Sequence, residues 1–423
     1  MITPAPAAPG GTFSWWGEAD REARVALAAG MFGWMLDAFD VMLFALVLRP
    51  LSQELGLTNR QGGILLSVML VAAAAGGVAF GRIADRFGRT RALMLSVAIY
   101  SVFTFLCGFA STLAQFVVLR IFLGFGMGGV WSSGAALVSE TWPARHRGKA
   151  LGIMQSGWAI GYAAAVLVNG FVQPNFGWRA VFFIGIAPAF FTLWVQRYVQ
   201  EPAIWLQAAR GPGLSGPANR APGFSAIFGG GLGALTVVLT LMNTCTLFGW
   251  WGFNGWLPTY LRSSPAQGGA GLGIAASTSY LFVMQAGMWV GYVTYGFISD
   301  RIGRKKSYVA YLLSAAVLLA IYVSIRNPAA LLILGPCVAF AATGYFSGFG
   351  AVTAEIYPTT IRATAQGFTY NMGRLASAAA PFLVGSLADT HGYGTALLVC
   401  SAAFVAAAIM WIWIPETKGR ALA

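Results

Sequence analysis

Gly81-Arg82-Ile83-Ala84-Asp85-Arg86-Phe87-Gly88-Arg89 is answered by Gly296-Phe297-Ile298-Ser299-Asp300-Arg301-Ile302-Gly303-Arg304. The shared pattern, Gly-x-x-x-Asp-Arg-x-Gly-Arg, recurs at an offset of 215 positions. A second set keeps the same offset: Glu140, Pro143, Arg147 and Gly152 match Glu355, Pro358, Arg362 and Gly367. Two unrelated motifs at one offset mean that the second half of the chain duplicates the first, helix for helix. Parallel duplicated halves are a common construction of secondary transporters.

Composition agrees. Of 423 residues, 57% are hydrophobic and 9% charged, and the mean hydropathy is +0.69; a soluble chain carries roughly 25% charge. Apolar runs of about 20 residues, each long enough to cross the hydrocarbon layer, recur almost end to end. They predict an all-α membrane protein of twelve transmembrane helices in two six-helix pseudo-repeats: 25–48, 60–81, 91–110, 113–139, 148–172 and 178–199, then 229–257, 272–298, 306–325, 329–354, 362–388 and 392–414. A tail (1–24), a Pro/Gly-rich linker (200–228) and a second tail (415–423) flank the halves 25–199 and 229–414.

The net charge of +13 is a topology signal rather than a nucleic-acid footprint. With both termini on one face, that face receives nineteen of the 26 Lys and Arg and the opposite face five (Arg49, Arg60, Arg179, Arg262, Arg326). The positive-inside rule makes the richer face cytoplasmic. The four cysteines all fall within spans, with no metal or disulfide spacing. The first 24 residues lack the short apolar core of a cleavable signal peptide. The absence of any Asn-x-Ser/Thr sequon is in keeping with a bacterial source. The expected setting is the plasma (inner) membrane of a bacterium, as a monomer with the bilayer as its surroundings.

Four charged residues lie well inside spans, and none is duplicated. Asp37, Asp40, Arg120 and Arg374 map at the 215 offset to Gly252, Gly255, Gly335 and Ala159. Asp37 is 13 residues past Arg24 and 12 before Arg49, near mid-bilayer, and Asp40 follows at i+3 on the same helix face. Arg374 is 12 residues past Arg362, about 18 Å deep at 1.5 Å per residue. Such charges are costly in lipid and must face protein or water. A scaffolding ion pair could have been kept in both halves, as the loop motifs were; these four point to the work instead.

Their chemistry suits coupled transport. A carboxyl desolvated in a cavity can carry a proton near neutral pH, whereas arginine stays charged and offers a planar fork to a carboxylate. Asp37 and Asp40 are therefore the proton-coupling candidates, with Arg374 and Arg120 as anion contacts. The coupling ion is the proton, and neither cofactor nor metal is expected. Aromatic and polar groups that could line the site are Trp34, Trp131, Gln155, Trp158, Tyr162, Gln285, Tyr370 and Asn371. Span 7 adds Asn243, Asn254 and Trp256. Its Gly249, Gly252 and Gly255 lie on one face with Pro258 following, so a break or kink is expected there. The loop residues Asp85, Arg86, Arg89, Glu140, Arg147, Asp300, Arg301, Arg304, Glu355 and Arg362 form the gating set, whose ion pairs can latch the halves in an outward-open state.

These residues together resemble the major facilitator superfamily over the whole chain. Gly33-Trp34-x-x-Asp37-x-Phe39-Asp40, Ser139-Glu140-Thr141-Trp142-Pro143, Gly177-Trp178-Arg179 and Tyr370-Asn371-x-Gly373-Arg374 are similar to the sialate/lactate proton symporter group, and aromatic-acid symporters share the paired aspartates. The resemblance implies uptake of a carboxylated metabolite (a lactate-like monocarboxylate, a sialate or an aromatic acid) driven by protons. One departure is visible: the group usually has Glu-Trp after Gly-Met-Gly-Gly, and here Val130-Trp131 follows Gly129, which either leaves span 1 to carry the proton or changes the stoichiometry or the substrate. Pro415-Glu416-Thr417-Lys418-Gly419 resembles the end of sugar porters. A proton-coupled exporter and a sugar symporter therefore stand as alternatives. A receptor or enzyme lacks the soluble domain or the histidine it would need.

Overall fold

A computed structural model describes residues 14–143, 146–203, 205–206, 224–358 and 362–418; the side chains of Asp85, Arg147 and Arg362 are outside that description, as are most of the linker and the last five residues. The chain is helical throughout. The first half comprises α1 (Arg21–Leu55), α2 (Asn59–Phe87), α3 (Arg89–Cys107), α4 (Leu113–Thr141), α5 (Arg147–Ile184) and α6 (Ala187–Tyr198). The second comprises α7 (Gly233–Arg262), α8 (Ile274–Ile302), α9 (Arg304–Ser324), α10 (Pro328–Gly344), α11 (Phe346–Ile356), α12 (Arg362–Ser377), α13 (Ala379–His391) and α14 (Tyr393–Met410).

Among the described residues ten helical segments are long and apolar enough to cross a membrane. Two stretches depart from the even series the sequence predicts. Lys149–Tyr198 runs for 50 residues as one candidate, about 75 Å along a helix axis, and Gly177 turns the chain within it at φ 78°, ψ 171°. Residues 362–391 are divided at Ala378 into helices of 16 and 13 residues, each short of a full crossing. A further division at Tyr345 separates α10 from α11.

Helix starts follow local chemistry. Thr58 accepts from Gln61 N while the Gln61 side chain returns to the Thr58 N–H, a capping box that opens α2; Thr112 and Gln115 do the same for α4. Between helices, lipid supplies no hydrophobic drive, so close approach depends on small residues. At Gly161 an added Cβ would lie 1.8 Å from the Met35 carbonyl oxygen, and at Gly76 2.0 Å from that of Phe125. These two glycines let α5 lie against α1 and α2 against α4.

The expected weak point in span 7 does not appear. Helix α7 runs unbroken from Gly233 to Arg262 with Pro258 inside it. Its glycines are packing sites instead. Gly249 meets the Phe404 ring, Gly252 meets Cys400 Sγ, and Gly255 faces Leu66 of the first half. A bulky neighbour fills each notch, so the helix is supported where its sequence is weakest. The end away from the repeated Asp-Arg motifs is closed across the halves: Arg262 Nη1 donates to the Leu46 carbonyl at 3.3 Å and to Gln173 Oε1 at 3.1 Å.

Candidate functional site

The four intramembrane charges separate into two environments. Asp37 is fully buried on α1, and no donor among the described residues lies within hydrogen-bond distance of either of its oxygens. The Arg374 guanidinium of α12 lies within electrostatic reach of it. Arg374 is 3% exposed, its Nε unpartnered, and its guanidinium carbon sits 5.7 Å from the Tyr370 ring centroid. An acid from one half thus faces a cation from the other, with spare valences on both.

Asp40, one turn further, faces the interior of its own half. Its neighbours are Thr104, whose hydroxyl donates to the Tyr100 carbonyl at 2.9 Å, and Arg120. Arg120 is fully buried, stands 4.1 Å over the Phe44 ring and points Nη2 at Met69 Sδ, 3.0 Å away. All of these residues belong to α1–α4. Arg120 was expected beside the anion. Its helix face turns it instead into the packed seam with Asp40, where a cation over a ring offsets part of the carboxylate's burial.

Beside Asp37 lies a group of indoles drawn from both halves. Trp34 and Trp158 are 4.7 Å apart, and Trp158 meets Trp250 and Trp251 edge-on at 5.5 and 6.2 Å. The Nε1–H groups of Trp34, Trp158 and Trp250, the Tyr162 hydroxyl and Asn243 Nδ2 are buried without a partner among the described residues. Buried polar groups are ordinarily paired. A concentration of spare donors next to a cation fits a guest that brings acceptor oxygens and a flat body.

On the motif side of Arg374 a second cross-half layer closes the path. Trp131 stacks on Tyr370 at 5.2 Å and donates to Gln155 Oε1 at 3.3 Å, and Phe349 meets Tyr370 at 6.1 Å. Asn371 donates Nδ2 to its own helix at Gly367 and lies against Gly77 of the first half. Two other sequence candidates are committed elsewhere. Trp256 donates to the Pro381 carbonyl at 2.8 Å and fills the notch at Gly385. Asn254 Nδ2 donates to the Trp250 carbonyl at 3.1 Å.

The gating residues pair within halves. Arg89 grips Glu140 through Nε and Nη2, with the shortest contact 2.9 Å, and Arg304 grips Glu355 at 3.1 Å and also Asp300. Both pairs keep the 215 offset. Among the described residues no ion pair of this set crosses the seam; the Asp85, Arg147 and Arg362 side chains of the expected latch lie outside the described residues. Arg86 lies by Phe87, and the Arg301 carbonyl accepts from Lys418 Nζ. The sequence reading missed a further matched pair, Glu201 and Glu416, also 215 apart. Glu201 accepts from the backbone N–H groups of Arg89 and Thr90 at 2.6 and 3.1 Å. Glu416 accepts from those of Arg304 and Lys305 at 2.8 and 3.1 Å. Each caps a helix behind a glycine of positive φ, 111° at Gly88 and 104° at Gly303. Burial works to raise the Glu416 carboxyl, but the backbone N–H groups of Lys418, Arg304, Lys305 and Thr417 outweigh it and hold it below its ordinary range.

Comparison with known proteins decides the lineage. The pattern described as Major Facilitator Superfamily matches residues 30–284 and 239–423. The chain belongs to the Major Facilitator Superfamily. This facilitator is 31% identical to the cis,cis-muconate transport protein of Acinetobacter baylyi over 93% of its own length and 95% of that protein's. It is 27% identical to the sialic acid transporter of Escherichia coli, covering 94% and 96% of the two chains. Its fold matches that of a partially occluded, inward-open xylose transporter from E. coli with TM-score 0.74, at 18% identity, over 95% of this chain and all of the other. The facilitator is a multi-pass inner-membrane transporter, not an enzyme, of the group that includes sialic acid and muconate carriers.

Proposed function

We propose that this facilitator takes up a small carboxylated metabolite together with a proton. The observation that carries the reading is the seam between Asp37 and Arg374, where a dry acid and a partly unpartnered cation from opposite halves face each other. A lone buried carboxylate is costly, and a proton on Asp37 removes that cost when the anion occupies Arg374. An empty site keeps the acid and the base to each other. A loaded site holds the substrate carboxylate on Arg374 and the proton on Asp37. One monoanion moving with one proton is electroneutral, so the drive is the pH gradient. The indoles beside the site favour a ring-bearing or unsaturated body, and the names of the muconate and sialic acid relatives support an organic acid.

The same reading sets the topology. Lys149–Tyr198 crosses twice about Gly177, and 362–391 crosses once through α12 and α13, which gives twelve crossings in two halves with both termini cytoplasmic. The motif end is then the cytoplasmic end, and the two halves rock about the site. The aromatic layer of Trp131 and Tyr370 stands between site and cytoplasm.

A thermal-shift screen of organic acids, including cis,cis-muconate, sialic acid, benzoate and lactate, at pH 5.5 and 7.5 tests the reading. A stabilising acid is expected for the wild type, more strongly at the lower pH, and not for Arg374→Ala. Stabilisation equal in both proteins removes the basis for the proposal.

A further inference from the structure

At the end of the bundle opposite the motifs, one carboxylate ties the two halves together. Asp389, at the end of α13, accepts from the backbone N–H of Asn59 at 3.2 Å, from that of Arg60 at 3.0 Å and from Asn59 Nδ2 at 2.8 Å. Asn59 and Arg60 open α2 in the other half, and their N–H groups are among the four that a helix leaves unpaired at its start. The N-cap residue Thr58 serves Gln61 N, so the capping box leaves these two donors to Asp389. A carboxylate at a helix N-terminus also meets the positive end of the helix dipole.

Three further contacts converge there. Tyr393 Oη donates to Asn59 Oδ1 at 2.7 Å. The Arg60 guanidinium lies 5.4 Å from the Phe382 ring. At Gly63 an added Cβ would come within 2.5 Å of the Pro381 carbonyl oxygen, so the backbones themselves are in contact.

The duplication supplies an internal control. Shifted by 215, Asn59 becomes Ile274 and Asp389 becomes Pro174. The sister helix α8 starts after Gly273 with no side-chain cap. The device was not inherited by both halves, and nothing in helix construction demands it. It is available only while this end is shut, because opening must pull α13 away from α2.

We propose that Asp389 is a one-sided latch: it caps α2 across the seam in the outward-closed state and is released when the outer end opens, so it sets the balance between the two states. The latch needs no substrate and no change of protonation. Its consequence for transport rests on the uptake reading above. Loosening the latch populates the outward-open state and lowers the apparent external KM, since apparent affinity scales with the competent fraction.

The test is spectroscopic and independent of transport. Spin labels at Gln53→Cys and Ser324→Cys, exposed positions on the outer ends of α1 and α9, in a background lacking the native cysteines, report the outer distance by double electron–electron resonance. Asp389→Ala is expected to raise the ratio of long to short distances about five-fold, the change that corresponds to losing a typical helix cap. Asp389→Asn, isosteric but uncharged, is expected to raise it by a smaller factor and keeps the test available if the alanine variant does not fold. Distance distributions unchanged from the parent in a folded variant overturn the latch and leave the uptake reading untouched. A normal latch with no organic acid bound overturns the uptake reading alone.

Discussion

Arg374 of the second half and Asp37 of the first face each other across the seam without a hydrogen bond between them. Two opposite charges held near each other keep polar atoms without a hydrogen-bond partner among the described residues, which a third partner could satisfy. Arg374→Lys keeps the charge and loses the planar fork, so it is not a conservative change at a carboxylate site. Binding of the substrate acid, measured by calorimetry, should weaken by about ten-fold in Arg374→Lys and by a further ten-fold or more in Arg374→Ala. The combined loss in Arg374→Ala, about a hundred-fold or ~2.7 kcal/mol, falls within the 2–5 kcal/mol or so expected for removing one member of a buried charge contact.

Arg120 packs among α1–α4 against Phe44 and Met69, and its variants should report stability rather than binding. Removing it leaves Asp40 as an uncompensated acid among α1–α4. No hydrogen bond joins the two, so what is lost is a through-space attraction and the cation–ring contact with Phe44, the latter worth about 2 kcal/mol when desolvated. Arg120→Met is therefore expected to lower the melting temperature sharply in every buffer, whether or not an organic acid is present. An unaltered melting temperature with lost binding would return Arg120 to the anion site.

The stacked Trp131 and Tyr370 span the halves on the motif side of the site. An aromatic pair contributes about 0.5–1.5 kcal/mol beyond its burial, so Trp131→Ala should shift the closed-to-open ratio at that end by roughly two- to thirteen-fold. The rate of alkylation of a cysteine at Asn371 by a membrane-impermeant reagent added from the cytoplasmic side of inverted vesicles measures it. Unchanged reactivity would remove the layer from the gate.

Glu416 gives a pH prediction for the motif end. Its carboxyl is held below the ordinary value, so its contribution to stability is fully present above the unfolded-state value, about 4.3, and is lost as the pH falls through the lower folded-state value. The difference in melting temperature between wild type and Glu416→Gln should be constant from pH 5 to 8 and shrink below pH 4. A difference that grows on acidification contradicts the assignment.

The duplication was fully legible in the chain, because loop motifs at a fixed spacing need no coordinates. The same 215 offset also joins Glu201 to Glu416, but an isolated glutamate in a linker gave no reason to look until its bonds to Arg89 and Thr90 were visible. Depth along a span could be counted, and the Arg374 guanidinium does come within electrostatic reach of Asp37. The direction in which a side chain leaves a helix could not be counted in apolar sequence, where no polar face marks the buried side. That is why Arg120 and Trp256 were placed in the site and are found in packing. Span 7 was misread for a related reason. Gly249, Gly252 and Gly255 weaken a helix on their own, whereas here Phe404, Cys400 and Leu66 fill the notches.

On the uptake reading proposed above, Asp37 takes the proton that accompanies the anion. Proteoliposomes given an acid-outside pH gradient, with membrane potential clamped at zero, test it with whichever acid the screen selects. Wild type should accumulate the acid above its external concentration, and Asp37→Asn should exchange labelled for unlabelled acid at a comparable rate yet accumulate none. Accumulation by Asp37→Asn equal to that of wild type would contradict the account.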